Sequence, residues 1–322
     1  MSKPKIYINK KISAEVERYL SNYFDCFISE KPLNEIEKKE LDNIEGVLTA
    51  GTKIDKEFLD FFPKVKVISN MSVGYNNFNI KDMRRIDVVG THTPYVLEET
   101  VADLAFGLMI STARRIPELN NYVKRGDWGK DSETSLFGMD VNNTTLGIIG
   151  MGRIGRVIAK RAIYGFNMEV LYHNRNRNKN LENDTGVTYS SLTDLLKKSD
   201  YVILLIPLND QTRHYINYEH FQIMKDTSIF INISRGETIN EIDLIKALKE
   251  NQIKAAGLDV FNEEPTSPDN PLLKMKNVVC LPHVGTATLR TRNKIAMLAA
   301  QNLVNVILKK DYSSAHIVKE LQ

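Results

Sequence analysis

Short apolar runs alternate with polar segments of helical period along most of this chain. From the start to about Pro94, KIYIN, CFIS, GVLTA, VKVISNMSV and DVVGTHTP read as strands; Ala14 to Tyr23, Leu33 to Leu41 and Lys56 to Phe62 fill the gaps as helices. That alternation argues a parallel, flavodoxin-like sheet. Thr93-Pro94-Tyr95 interrupts it, and because Pro94 disfavours helix just before it, a crossover between domains is expected there. Helices from Glu98 through Arg115 and from Asn120 to Lys124 follow. TYSSLTDLLKKSD then predicts a helix capped by Ser191, and YVILLIPL a continuous buried strand. HFQIMKDTSIFINISRG gives helix, strand and loop, Glu241 to Glu250 a helix, AAGLDV and NVVCLP strands, and Thr288 to Leu308 a last long helix.

One stretch carries more than periodicity. Between Thr144 and Arg177 an apolar run, Thr145 to Ile149, meets Gly150, Gly152 and Gly155 at G-x-G-x-x-G spacing; a helical segment and a second strand, Glu169 to His173, follow. Such a βαβ unit holds the pyrophosphate of a dinucleotide. Gly150 permits the turn, Gly152 lets backbone N–H groups approach the phosphates, and Gly155 lets the helix pack on the strand. An NAD site usually places Asp or Glu about 20 residues beyond the motif. Here His173, Asn174, Arg175, Asn176 and Arg177 occupy that place, with no carboxylate until Glu182. The guanidinium groups of Arg175 and Arg177 can hold a 2′-phosphate with nothing nearby to repel it, so NADP(H) is the expected cofactor and NAD(H) remains open. The plain alternative is a solvated basic turn.

With 322 residues the chain can build two domains with real cores. Its 43 basic and 40 acidic side chains nearly balance, which gives no long-range argument for nucleic acid or membrane partners. The longest apolar run, Val101 to Ile110, contains Asp103 and falls short of the ~20 residues of a membrane span. It reads as a buried helix. MSKPKIYINK lacks the apolar core of a secretory signal, and Cys26 and Cys280 are far apart without metal-ligand spacing. A cytoplasmic protein with inert thiols and no metal is expected.

Candidate chemistry sits after strands. Ligands of parallel sheets gather beyond strand carboxyl ends. Arg235, Glu264 and His283 each follow a strand of the second half, where the nicotinamide of a bound dinucleotide should lie. Reducing a ketone requires a proton donor for the developing alkoxide, which suits His283; a carboxylate such as Glu264 stabilises and orients the charged imidazole. The planar fork of Arg235 can hold a 2-keto acid's carboxylate and polarise its carbonyl. Singly, each is an ordinary loop residue; their joint occurrence beside a dinucleotide motif is the signal. In the first half, the loop Asn70-Met71-Ser72-Val73-Gly74-Tyr75 could bind a carboxylate through N–H groups around Val73 and Gly74. An ordinary strand-to-loop glycine explains Gly74 equally well. Trp128, in Gly126-Asp127-Trp128-Gly129, either anchors an interface or covers a local core.

GMGRIG, NISRG, GLDVFNEEP and LPHVGTAT resemble, in order and over essentially the whole chain, the D-isomer-specific 2-hydroxyacid dehydrogenases. The resemblance implies two doubly wound parallel-sheet domains with a cleft between them. A discontinuous substrate domain (1–97 and 288–322) would flank a dinucleotide-binding Rossmann domain (98–287). It makes Arg235, Glu264 and His283 catalytic, adds Arg153 and Ile154 to the glycine loop, and puts Ile233, Asp259 and Gly285 on the nicotinamide side. Asn174 and Pro207 complete the expected cofactor set, and Val73, Gly74, Arg235 and His283 the substrate set. A homodimer through the nucleotide domain is implied, with Val101 to Arg115 at the interface and Trp128 approaching the partner's active site. VISNMSVGY, HTPYVLEETVADLAFGLM and PHVGTATLRTRN are most similar to the glyoxylate/hydroxypyruvate reductase branch, whose NADPH preference the basic turn fits. One departure is Asn76-Asn77, where many members carry Asp after Gly-Tyr.

The leading expectation is therefore NADPH-dependent reduction of glyoxylate or hydroxypyruvate to the D-2-hydroxy acid. An NAD-dependent lactate- or phosphoglycerate-type dehydrogenase is the first alternative; the missing ribose-binding acid and the lack of an extra C-terminal regulatory domain argue against it. A nucleotide-sensing corepressor on the same fold is the second, and it would not need Arg235, Glu264 and His283 together.

Overall fold

The computed structural model describes residues 3–322 and divides them into two compact units, Leu97 and the residues before it together with Thr286–Gln322, and Glu98–Gly285. In the first unit β1 (Lys5–Ile8), β2 (Asp25–Ile28), β3 (Ile44–Thr49), β4 (Val67–Asn70) and β5 (Val89–Thr91) form one parallel sheet in the order β2-β1-β3-β4-β5. That is the flavodoxin-like doubly wound order. Helices α1 (Ala14–Ser21), α2 (Lys38–Leu41), α3 (Lys56–Asp60) and α4 (Ile80–Arg85) connect these strands. The central β1, β3 and β4 are almost wholly buried, as strands covered on both faces must be, with polar residues mainly at their ends.

The second unit holds α5 (Glu98–Ala113), α6 (Ile116–Lys124) and seven parallel strands: β6 (Thr145–Ile149), β7 (Glu169–His173), β8 (Thr188–Tyr189), β9 (Tyr201–Leu204), β10 (Ile229–Asn232), β11 (Ala255–Leu258) and β12 (Val278–Cys280). Their order, β12-β11-β10-β9-β6-β7-β8, is the dinucleotide-fold order with one strand added beyond the sixth. Between them lie α7 (Arg153–Phe166), α8 (Lys179–Thr185), α9 (Leu192–Lys198), α10 (Tyr218–Ile223) and α11 (Glu241–Lys249). Helix α5 is buried along most of its length, packs on β10 and β11, and stacks Phe106 on Phe166 of α7 at 4.9 Å. The last helix, α12 (Leu289–Val304), capped by Thr288, belongs to the first unit, where it packs on β3 and β4 and accepts from Ser69 Oγ at Ala299 O, 2.8 Å.

Several elements differ from the pattern in the sequence. VKVISNMSV is strand only to Asn70, because Ser72 N donates back to Asn70 O and turns the chain. Leu33 to Leu41 is a short 3₁₀ turn and then α2, broken at Ile36 and Glu37, whose backbones are extended. Helix α6 begins at Ile116 rather than Asn120, since Pro117 in a first turn lacks only an N–H that would be unpaired anyway. Helices α4 and α8 each bury a single side chain, Met83 and Leu181, and so show no apolar period, and β8 has only two residues. Ser191 does cap α9, accepting from Asp194 N at 3.1 Å.

Candidate active site

Three neighbouring strands, β10, β11 and β12, end in the loops that carry Arg235, Glu264 and His283. The loop after β10 is built by Asn232, fully buried, whose Oδ1 accepts from Ser234 N and Oγ while its Nδ2 donates to Arg235 O at 3.1 Å. Thr238 Oγ1 donates to the same carbonyl at 2.6 Å. Only glycine fits next: a Cβ on Gly236 would lie 1.9 Å from the backbone carbon of Phe261. This contact sets the Arg235 loop against the chain leading to Glu264.

His283 Nδ1 lies 2.6 Å from Glu264 Oε2, and Glu264 Oε1 accepts from Phe261 N at 3.1 Å. Burial pushes the Glu264 carboxyl up, yet the His283 hydrogen bond, the Phe261 N–H and the charges of His283 and Arg235 outweigh it and hold it below its ordinary value. An ionised Glu264 requires the proton on Nδ1, which leaves Nε2 as the nitrogen that faces a reactant. Burial lowers Arg235 from its ordinary value, opposed by the charge of Glu264. His283 sits in the left-handed region, φ 52°, and its N–H donates to Asp259 O. Asp259, 2% exposed, accepts from Val284 N and Gly285 N at 2.8 and 2.9 Å. Both its oxygens thus brace the His283 loop, and Gly285 comes so close that a Cβ there would stand 3.3 Å from Oδ2.

The glycine turn lies at the carboxyl end of β6. Gly150 has φ +101°, and a Cβ on it would approach the Leu205 carbonyl carbon to 2.8 Å; Gly155 faces Gly150 O at 3.1 Å. Gly152 meets nothing within 4 Å, so open space remains over the turn. It caps α7 with no side-chain hydrogen bond, whereas Ser, Asp, Asn or Thr caps most other helices of the chain. The first-turn N–H groups of Arg153, Ile154 and Gly155 are thus those an anion would meet. The residues present fit the phosphates of a dinucleotide. Arg153 pairs with Glu98 at 3.1 Å. Asn174 faces the turn rather than outward: its Oδ1 accepts from Met151 N at 2.7 Å and its Nδ2 donates to Met151 O at 3.2 Å, clamping the loop. Arg175 is exposed and makes no ion pair among the described residues; Arg177 pairs with Glu182. Pro207 is exposed in the loop after β9, and Ile233 is buried after β10.

In the first unit the Val73–Gly74 loop has a consistent polarity. Three successive carbonyls point into the protein: Ser72 O accepts from Thr93 N, Val73 O lies 2.9 Å from His92 Nδ1, and Gly74 O accepts from Asn70 Nδ2 at 2.9 Å. The N–H groups of Val73 and Gly74 have no acceptor among the described residues. Successive N–H groups left this way form an anion nest. The sequence reading named Asn70 only as the start of this loop and missed His92; a polar residue at the end of a buried strand or just after it was the available signal. Asn77 Nδ2 donates to Thr52 O at 2.7 Å and ties the loop to its neighbour, while Tyr95 and Trp128 are exposed.

Known proteins resemble this chain along most of its length. Residues 106–285 match the model of the D-isomer specific 2-hydroxyacid dehydrogenase NAD binding domain. The glyoxylate/hydroxypyruvate reductase B of Enterobacter sp. (strain 638) is 40% identical over 321 residues, 98% of this chain and 99% of that protein. The chain belongs to the D-isomer-specific 2-hydroxyacid dehydrogenases. A second relative, glyoxylate/hydroxypyruvate reductase B of Yersinia pestis bv. Antiqua (strain Nepal516), is 42% identical over 308 residues, 95% of this chain and 94% of its own. The crystal structure of an NADPH-dependent glyoxylate/hydroxypyruvate reductase from Sinorhizobium meliloti, in complex with NADP and malonate, superposes with a TM-score of 0.88 at 30% identity and covers 99% of this chain and 98% of that one. As a 2-hydroxyacid dehydrogenase the protein is an NAD(P)-dependent oxidoreductase with two parallel-sheet α/β domains. No helix among the described residues is long and apolar enough to cross a membrane.

Proposed function

We propose that this dehydrogenase reduces glyoxylate or hydroxypyruvate to the corresponding D-2-hydroxy acid with NADPH. The observation that carries the proposal is the Glu264–His283 pair at 2.6 Å beside Arg235. Reduced nicotinamide supplies the hydride. His283 donates the Nε2 proton to the carbonyl oxygen as that oxygen gains the electron pair, and Glu264 stabilises the imidazolium beforehand. Arg235, with its planar cationic fork, polarises the carbonyl and aligns the acid. The nest of Val73 and Gly74 N–H groups is assigned to the substrate carboxylate.

Gly150, Gly152 and Gly155, with Arg153 and Ile154, are assigned to the pyrophosphate, Arg175 and Arg177 to a 2′-phosphate, and Pro207, Ile233, Asp259 and Gly285 to the rest of the cofactor. Asn174 serves the same site indirectly, through its clamp on Met151. The likeness to two reductases of glyoxylate and hydroxypyruvate supports the substrate, and the NADP-bound Sinorhizobium meliloti structure the cofactor. A homodimer is also proposed, supported by Ile116, Val123, Trp128 and Phe137, which expose large apolar surface in the second unit. The free Cys26 and Cys280 suit a cytoplasmic setting.

Oxidation of NADPH and NADH over glyoxylate, hydroxypyruvate, pyruvate and 3-phosphohydroxypyruvate tests the assignment. The highest kcat/KM is expected with NADPH and one of the first two acids. Preference for pyruvate or the phosphorylated acid with NADH would transfer the chain to the lactate or phosphoglycerate type; silence throughout would favour a nucleotide sensor.

A further inference from the structure

Glu182, nine residues beyond the end of β7, returns to the basic turn through the fold. Arg177 Nε donates to Glu182 Oε1 at 2.8 Å and Nη2 to Oε2 at 2.6 Å, a side-on bidentate pair. The carboxylate is held from below as well: Tyr172, fully buried, donates its hydroxyl to Oε1 at 3.0 Å. Tyr189 lies under the guanidinium, 5.8 Å from ring centroid to Cζ, and packs edge-on against Tyr172. The Glu182 side chain is 15% exposed against 53% for Arg177, so the acid forms the floor and the base the rim. Asn174, Asn176, Arg177, Asn178, Lys179 and Asn180 line the cleft beside the pair. Carboxamides supply hydrogen bonds without charge, so the charge of the turn depends on few groups. Arg175 stands outside the pair.

We propose that Glu182 is a specificity-determining residue that limits this enzyme's preference for 2′-phosphorylated over unphosphorylated dinucleotides. The proposal rests on the NADP(H) assignment above. By pairing with Arg177, Glu182 subtracts one positive charge where a dianionic phosphate would bind, while it leaves Arg177 Nη1 as a directed donor. Toward a ribose 2′-hydroxyl the same carboxylate is no obstacle, since it can accept a hydrogen bond. One side chain therefore lowers one affinity without lowering the other. Arg175 and Lys179 carry the charge outside the pair, and Arg177, held over the Tyr189 ring, supplies geometry.

The test uses the full chain and two probes, adenosine 2′,5′-bisphosphate and AMP, titrated calorimetrically. Glu182→Gln keeps an acceptor for Tyr172 and for one Arg177 N–H but removes the charge. The ratio of bisphosphate to AMP affinity is expected to rise about 3- to 10-fold, with a steeper salt dependence, as a partly screened carboxylate near a phosphate implies. Glu182→Asp, which keeps the charge in the turn, is expected to stay within about twofold of the parent ratio. An unchanged or lower ratio in Glu182→Gln would make Glu182 a strut for Arg177 and overturn the proposal, as would an equal gain in Glu182→Asp. Arg175→Ala separates the underlying assignment. If the parent binds both probes equally and Arg175→Ala alters neither, the NADP(H) assignment has failed whatever Glu182 does.

Discussion

At the scale of single residues, His283 is positioned by two acids with different tasks. Glu264 touches the imidazole, and Asp259 touches only the backbone that carries it. Burial raises the Asp259 carboxyl even though two N–H groups and the charge of His283 pull it down, whereas Glu264 is held below its ordinary value by the His283 hydrogen bond and the Phe261 N–H. Reduction requires a proton donor beside the carbonyl, and the carboxylate at 2.6 Å orients the ring that supplies it. Glu264→Gln is therefore expected to lower kcat with cofactor affinity near the parent, and His283→Ala to reduce kcat at least ~10²-fold with cofactor affinity kept. An unchanged kcat in Glu264→Gln would detach the acid from proton transfer.

At the scale of elements, polar residues at strand ends determine where the loops go. Asn232 closes β10 and aims the Arg235 loop, Asn70 closes β4 and turns carbonyls inward, and Asn174 follows β7 and clamps the glycine turn. Each is a short side chain that hydrogen-bonds its own or a neighbouring backbone, the habit that makes Asn common in turns. Gly236 is the complementary device. Its missing Cβ admits the Phe261 backbone, and Gly236→Ala would force the β10 and β11 loops apart. About 1–3 kcal/mol of destabilisation is expected from such overpacking, together with a fall in kcat well beyond the loss of folded protein. Thermal melting and kinetics on the same preparation check it; an unaltered kcat would mean that the spacing of these loops is irrelevant to Arg235 and Glu264.

For the whole molecule, the two parallel sheets have separate cores, the first with clusters around Ile6, Leu48 and Leu303 and around Tyr7, Val47 and Ile68, the second with one around Val202, Phe230 and Leu258. Cofactor binding stabilises only folded protein. NADP+ at a hundredfold excess over its Kd contributes about 2.7 kcal/mol, which should raise Tm by roughly 5–10 °C for a domain of this size. NAD+ at the same concentration should raise it less, and a larger rise with NAD+ would contradict the assigned 2′-phosphate site.

Periodicity sufficed for the alternation of strands and helices and hence for two parallel sheets, because side chains buried on both faces must be apolar in unbroken runs. Local spacing likewise sufficed for the glycine turn, whose residues are all neighbours in the chain. Contacts between residues far apart were beyond it. The distance from Glu264 to His283 and the inward carbonyls of the Val73–Gly74 loop depend on how loops from different strands are set side by side, and the return of Glu182 to Arg177, only five residues away, depends on how the segment after β7 folds over Tyr172. Glu182 illustrates the reason: linear separation put it outside the basic turn, and a bend, a single short helix and a buried tyrosine hydroxyl bring its carboxylate within 2.6 Å of a guanidinium.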